Sequence, residues 1–174
     1  NGDDLFAPTS MEVASTVNEY NIMFCSEYNI NTDDSKANIP GVLYGRYHGD
    51  DYAGGNPWVL TTAALGNLFY RGGNYIKEHG LPDSDAIAIW SEIFGINTKT
   101  GQPNQKTDPI TSDMFITAGD AVMQRLRTHV IKDNYHLDEQ LDRNTGVQMS
   151  AEDLTWSYAE VLNAMTSRDK YFMH

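Results

Sequence analysis

Glu139 lies in His136-Leu137-Asp138-Glu139-Gln140-Leu141-Asp142-Arg143-Asn144-Thr145-Gly146, a polar loop between two helical patterns that closes on Asn-Thr-Gly. A carboxylate held in a loop between helices can face a cavity instead of bulk water, and there it can take a proton from an attacking water molecule. A second polar loop, Gly45 to Trp58, brings Arg46, Asp50, Tyr47, Tyr52 and Trp58 into one stretch. A guanidinium presents a fixed fork of donors that suits sugar hydroxyls, and a carboxylate accepts from them. Aromatic faces pack on the C–H faces of sugar rings. Together the loops read as half of a carbohydrate-cleaving site. Each also has an ordinary alternative. Glu139 can be a solvated glutamate beside Asp138 and Asp142. Arg46 with Asp50 can be a surface ion pair of little energetic weight. Trp58 can be a core residue in the first turn of a helix.

The bulk numbers narrow the partners. A chain of 174 residues suits one domain with a substantial core. Its net charge of -12 argues against nucleic acid, whose phosphates want lysine and arginine, and against anionic membrane surfaces. A neutral ligand fits that charge. No apolar run is long enough to span a membrane. The single cysteine, Cys25, excludes a disulfide within the chain and reads as a buried thiol packed like a small hydrophobe. Of the histidines His48, His79, His129, His136 and His174, no pair has zinc-ligand spacing with a cysteine or acidic partner on the same face, so no metal is expected. No phosphate-cradling or dinucleotide-binding glycine pattern occurs, and no cofactor is expected.

The elements that must position the two loops are helices. Thr9 and Glu12 have capping-box spacing, and Val13, Val17, Tyr20, Phe24 and Tyr28 follow as one apolar stripe. The polar segment from Asn29 to Asn38 reads as the loop that ends this first helix. Asn56-Pro57 opens a second, with Asn as cap and Pro at the first helical position. Its buried face is Leu60, Ala64, Leu65, Leu68 and Phe69; Gly72-Gly73 falls near its end, with room for a few more helical residues to His79. A third runs from about Ser84 to Phe94 on Ile87, Trp90 and Phe94, and Gly95 terminates it. Residues 96 to 108 read as a surface loop. A fourth begins near Ser112 on Phe115, Ala118, Val122, Leu126 and Val130. The fifth begins at Ser150, whose hydroxyl caps with Asp153 three residues on, and uses Leu154, Tyr158, Val161, Leu162 and Met165. Strand signals are weak, the best being the short apolar stretch Ile39 to Tyr44. Five helices in antiparallel hairpins, an all-α domain, are the expectation.

Five blocks then occur in order: Gly45-Arg46-Tyr47, Gly55-Asn56-Pro57-Trp58, Leu137-Asp138-Glu139-Gln140-Leu141-Asp142, Thr145-Gly146, and Ser150-Ala151-Glu152-Asp153-Leu154-Thr155-Trp156-Ser157-Tyr158-Ala159. From about Pro8 to Arg168 the chain resembles the carboxy-terminal part of the catalytic domain of the glucoamylases, glycoside hydrolase family fifteen. The resemblance implies an (α/α)6 barrel of six inner and six outer helices, of which five helices are a little under half. It implies that residues 1–174 belong to a single catalytic domain. Starch and maltooligosaccharides are the implied partners, cleaved with inversion at α-1,4 and more slowly α-1,6 links to release β-D-glucose. Glu139 matches the family's general base. Arg46 and Asp50 match substrate-binding positions, Tyr52 and Trp58 match aromatics beside the sugar subsites, and Gln140 adjoins the base. The family's general acid belongs to an earlier Trp-Glu-Glu block that this chain lacks, which implies a missing upstream half. Where the family usually reads Arg-Tyr-Pro-Glu-Asp, this chain reads Arg46-Tyr47-His48-Gly49-Asp50, without the proline and glutamate. Secretion or vacuolar delivery is implied by the resemblance. A non-catalytic glucan-binding or regulatory module on the same barrel is the alternative reading, and a helical interaction scaffold a third.

Overall fold

The computed structural model of the chain describes residues 6–96 and 110–173. The surface loop expected over 96–108 lies, apart from Ile96, outside the described residues. Among those described there are six α-helices: α1 (Met11–Glu27), α2 (Asn29–Lys36), α3 (Val59–His79), α4 (Ser84–Ile93), α5 (Ser112–Val130) and α6 (Thr155–Met173). Two short strands, β1 (Gln140–Leu141) and β2 (Gln148–Met149), pair antiparallel between α5 and α6.

Helix α3 is the hub and packs along both α5 and α6, while α1 packs on α4. Gly72 and Gly73 do not end α3. A Cβ at Gly72 would sit 2.5 Å from the Phe115 ring, and one at Gly73 2.8 Å from Ile116, so the two glycines let α3 and α5 approach closely. Phe69, Trp90, Phe94 and Phe115 form an aromatic cluster at the heart of the core, with Trp90 and Phe115 both fully buried. The Trp90 indole N–H donates to the Thr9 carbonyl at 3.0 Å. That contact buries Thr9, and Ser10 takes the N-cap of α1 in its place, accepting from the Val13 amide at 3.4 Å.

Four further sequence expectations are corrected. The segment Asn29 to Asn38 is mostly helix, not loop. Its composition is poor for a helix, and tertiary contacts override it. Arg125, buried on α5, donates to the Asn31 and Pro40 carbonyls and to Ser35 Oγ, and so wraps α2 and the following strap around one guanidinium. Asn31 then pairs with both backbone groups of Leu43, as a neighbouring strand would. Cys25 is exposed, because it stands one position off the buried line of Ala14, Val17 and Phe24. Helix α6 begins at Thr155 rather than Ser150. Its buried line is Ser157, Ala164 and Tyr171, whereas Leu162 and Met165 are exposed at 62% and 55%. Small residues at the α3 contact let the helices close up. The larger apolar residues instead line an open groove between α5 and α6, with Met123, Leu126 and Val130 opposite. Asn56 does not cap α3; Trp58 holds that position without a side-chain cap.

Candidate active site

The start of α3 and the turn around Glu139 are built against each other. The amide of Val59, first residue of α3, would have no partner within the helix. It donates to the carbonyl of Glu139 at 3.1 Å. On its other side, the Glu139 amide donates to the Ala151 carbonyl at 2.9 Å. The backbone of Glu139 is thus pinned from both flanks. Next to it, Gln140 forms an antiparallel bridge with Trp58, and the Leu141 amide donates to the Pro57 carbonyl at 2.9 Å.

The Glu139 side chain is partly buried, and two donors hold one of its oxygens. Gln140 Nε2 reaches Oε2 at 3.2 Å, and the Ser150 hydroxyl donates to the same atom at 2.5 Å. Oε1 has no hydrogen-bond partner among the described residues. Gln140 is itself fully buried and oriented by Asn56, whose Nδ2 donates to Gln140 Oε1 at 3.0 Å. The Asn56 side-chain oxygen accepts from the Arg143 amide at 3.1 Å, tying the Gly55-Asn56-Pro57-Trp58 turn to the loop after β1.

Arg46 and Asp50 meet side on. Nε and Nη2 each donate to a separate carboxylate oxygen at 2.7 Å, the bidentate geometry that suits a guanidinium. The Tyr52 amide adds a third bond to Asp50 at 3.1 Å. The hydrogen bonds from Arg46, against the opposing effect of burial, hold the Asp50 carboxyl below its ordinary range. The same bond raises the already basic Arg46. Two of the five N–H donors of Arg46 go to Asp50, and the rest have no partner among the described residues. Its guanidinium carbon lies 4.6 Å from the Trp58 ring centroid and 5.0 Å from that of Tyr52, with Trp58 buried and Tyr52 half exposed. The Arg46 carbonyl accepts from the Tyr20 hydroxyl at 2.9 Å, so α1 fixes the loop from below.

The six residues matched to site positions are therefore linked to one another, with Asp50, Trp58 and Gln140 buried and Arg46, Tyr52 and Glu139 reaching solvent. Trp58 is the joint: its ring underlies Arg46 and its backbone bridges to Gln140 beside Glu139. Two residues bonded to this set carried a different role in the sequence. Ser150 read as a helix cap, yet its hydroxyl binds the Glu139 carboxylate. The β1–β2 register pairs Gln140 with Met149, and one step further sets Ser150 across from Glu139. Asn56 also read as a cap and instead orients Gln140. The signal available for both was their place in the Gly-Asn-Pro-Trp and Ser-Ala-Glu-Asp-Leu blocks; the hairpin that brings them together carries no strong strand pattern. Among the described residues no group of three or more His, Cys, Asp or Glu is placed to hold a metal ion, and no helix is long and apolar enough to cross a membrane.

The family model for glycosyl hydrolases family 15 matches residues 1–166. A glucoamylase of Blastobotrys adeninivorans is 32% identical over 181 residues, covering 97% of this chain and 29% of that protein. Glucoamylase P of Amorphotheca resinae is 35% identical over 76% of the chain and 23% of its own length. The intracellular sporulation-specific glucoamylase of Saccharomyces cerevisiae is 30% identical over 91% of the chain and 32% of its own length. Among solved structures, the family 15 glucoamylase of Hypocrea jecorina aligns with a TM-score of 0.69 at 28% identity, over 94% of this chain and 27% of that one. The chain thus spans under a third of the length of these curated relatives, and its helices align as part of an (α/α)6 barrel.

Proposed function

The chain belongs to glycosyl hydrolases family 15, and from that premise we propose that it supplies the general-base half of an inverting, exo-acting glucan hydrolase. Residues 1–174 form the carboxy-terminal part of one glucoamylase-like catalytic domain, and the general acid comes from outside them. The substrates are starch and maltooligosaccharides. Glu139 Oε1 takes a proton from water; the water oxygen bonds to the anomeric carbon; the glycosidic bond breaks, and the acid protonates the departing oxygen. Attack from the face opposite the leaving group turns an α-1,4 linkage, or more slowly an α-1,6 linkage, into β-D-glucose. The acid and base of such enzymes stand roughly 6.5–9.5 Å apart, which leaves room for the water.

One observation supports this reading above the others. Both donors to the Glu139 carboxylate, Ser150 and Gln140, converge on Oε2, so the charge is held in place while the second oxygen is left to accept a proton. The Arg46 loop lies one backbone bridge away, with unused donors and aromatic faces suited to a sugar ring.

The test is maltotriose hydrolysis by the natural full-length protein, with the anomeric configuration followed by NMR. Release of β-glucose is expected. Glu139→Gln should lower turnover by about 10²–10⁴-fold, the range for a lost general base, with glucan affinity largely retained. Full activity in that variant refutes the assignment of the base. Binding of maltotriose by the wild-type protein without release of glucose would make the barrel a glucan-binding module instead.

A further inference from the structure

We propose that His136, Asp153 and Tyr158 form a clip that positions Glu139 from behind, and that the clip is tightest in mildly acidic solution. The inference rests on the reading of Glu139 as the general base. Segments 137–139 and 150–154 lie side by side, joined by Glu139 N–H to the Ala151 carbonyl at 2.9 Å, Leu154 N–H to the Leu137 carbonyl at 2.9 Å, and Asp153 N–H to Asp138 Oδ1 at 3.0 Å. Ser150, which holds the Glu139 carboxylate, belongs to the second segment. That segment is bent through two left-handed residues, Ser150 at φ 75° and Asp153 at φ 48°. Left-handed residues other than glycine are unfavourable unless side-chain bonds hold them.

Asp153 supplies those bonds. Its Oδ1 accepts from the Tyr158 hydroxyl at 2.5 Å and meets His136 Nδ1 at 2.8 Å. Tyr158 stands on the first turns of α6, and its hydroxyl also accepts from the Leu137 amide at 3.2 Å. One carboxylate oxygen therefore ties a helix, the residue before the base segment and the turn that carries Ser150. Among the described residues neither Asp153 nor Tyr158 bonds to the Arg46 loop; both act on Glu139 through the backbone.

The pH dependence follows from what faces each group. His136 sees three carboxylates, Asp153, Asp133 and Asp138, and contact with Asp153 above all raises its proton affinity. Its contribution is complete below the unfolded value of about 6.5 and is lost as pH rises through the raised folded value. Asp153 is lowered by the bonds from Tyr158 and then His136. Its contribution is complete above about 3.9 and is lost as pH falls through the lowered value. Both charges are fully in place from about pH 4 to 6.5. His136 and Asp153 are more than half exposed, so solvent protons reach both.

Amide hydrogen exchange at Glu139 and Leu154, corrected for the intrinsic pH effect, tests the clip in the natural full-length protein. Wild-type protection should fall about fivefold between about pH 5.5 and about pH 8, the scale of an exposed ion pair. His136→Gln should lose that pH dependence, and His136→Arg should keep high protection at both values. Asp153→Asn, which tolerates the left-handed backbone, should be weakly protected throughout. In maltotriose hydrolysis, kcat should follow protection while KM stays constant. Equal wild-type protection at both pH values, or His136→Gln indistinguishable from wild type, overturns the proposal. If the wild-type protein releases no glucose, the base assignment fails, and amide exchange still decides the clip.

Discussion

At the scale of single residues, the site is organised by paired donors and acceptors that leave one valence open. Asp50 accepts from Arg46 and the Tyr52 amide, and the outer donors of Arg46 are left without a hydrogen-bond partner among the described residues. Glu139 is held at one oxygen only. The lowered proton affinity of Asp50 has a consequence for the loop. A carboxylate depressed in the folded state contributes stability above its unfolded value, near 3.9, and that stability is lost as pH falls through the folded value. Trp58 lies against Arg46 and reports on this pair. Its fluorescence, taken as the difference between wild type and Asp50→Asn, should be flat above about pH 4 and change below it. A difference signal that moves between about pH 5 and 8 would assign the transition to another group.

Among the elements, the turn that leads into α3 carries the most constraint. Gly55 adopts φ 65°, and a Cβ there would lie 2.1 Å from the Asp50 carbonyl oxygen. Both the left-handed backbone and the close approach exclude a side chain. Gly55→Ala should therefore cost about 2 kcal/mol or more in the urea unfolding of the full-length protein. On the proposed function it should also weaken glucan binding, because the displaced loop is the one that carries Asp50. An unchanged midpoint would mean that the Asp50 carbonyl moves aside without strain. Helix α2 makes the complementary point. Eight largely polar residues become helical because Arg125 and Asn31 take up the backbone groups around them.

For the whole molecule, the exposed apolar surface decides behaviour in isolation. Helix α6 turns Trp156, Leu162, Met165 and Phe172 to solvent, each more than half exposed. A groove of about 610 Å³ between α1 and α3 is lined by Val13, Val17, Leu65 and Leu68, and one of about 450 Å³ runs between α5 and α6. Surfaces of this kind drive association when nothing covers them. The 174 residues produced alone should associate in light scattering at micromolar concentration and release no glucose from maltotriose. A soluble monomer that hydrolyses maltotriose would overturn this expectation.

The family, the all-α fold and four of the helices were legible in the sequence, because each rests on local information. Apolar spacing set α1, α3, α4 and α5, and Gly-Asn-Pro-Trp and Glu-Gln-Leu-Asp are contiguous blocks. What only the tertiary structure decided depends on partners distant in sequence. Asn56 and Ser150 carry sequence signs of helix caps, and they became supports of Gln140 and Glu139 when a hairpin of two-residue strands folded one loop across the other. The buried line of α6 was set by the close fit of Ser157, Ala164 and Tyr171, not by its largest apolar residues. Helix α2 formed against its own propensity around a guanidinium from α5. Local propensity is a small energy per residue, and a buried hydrogen bond or a helix packed at close range outweighs it.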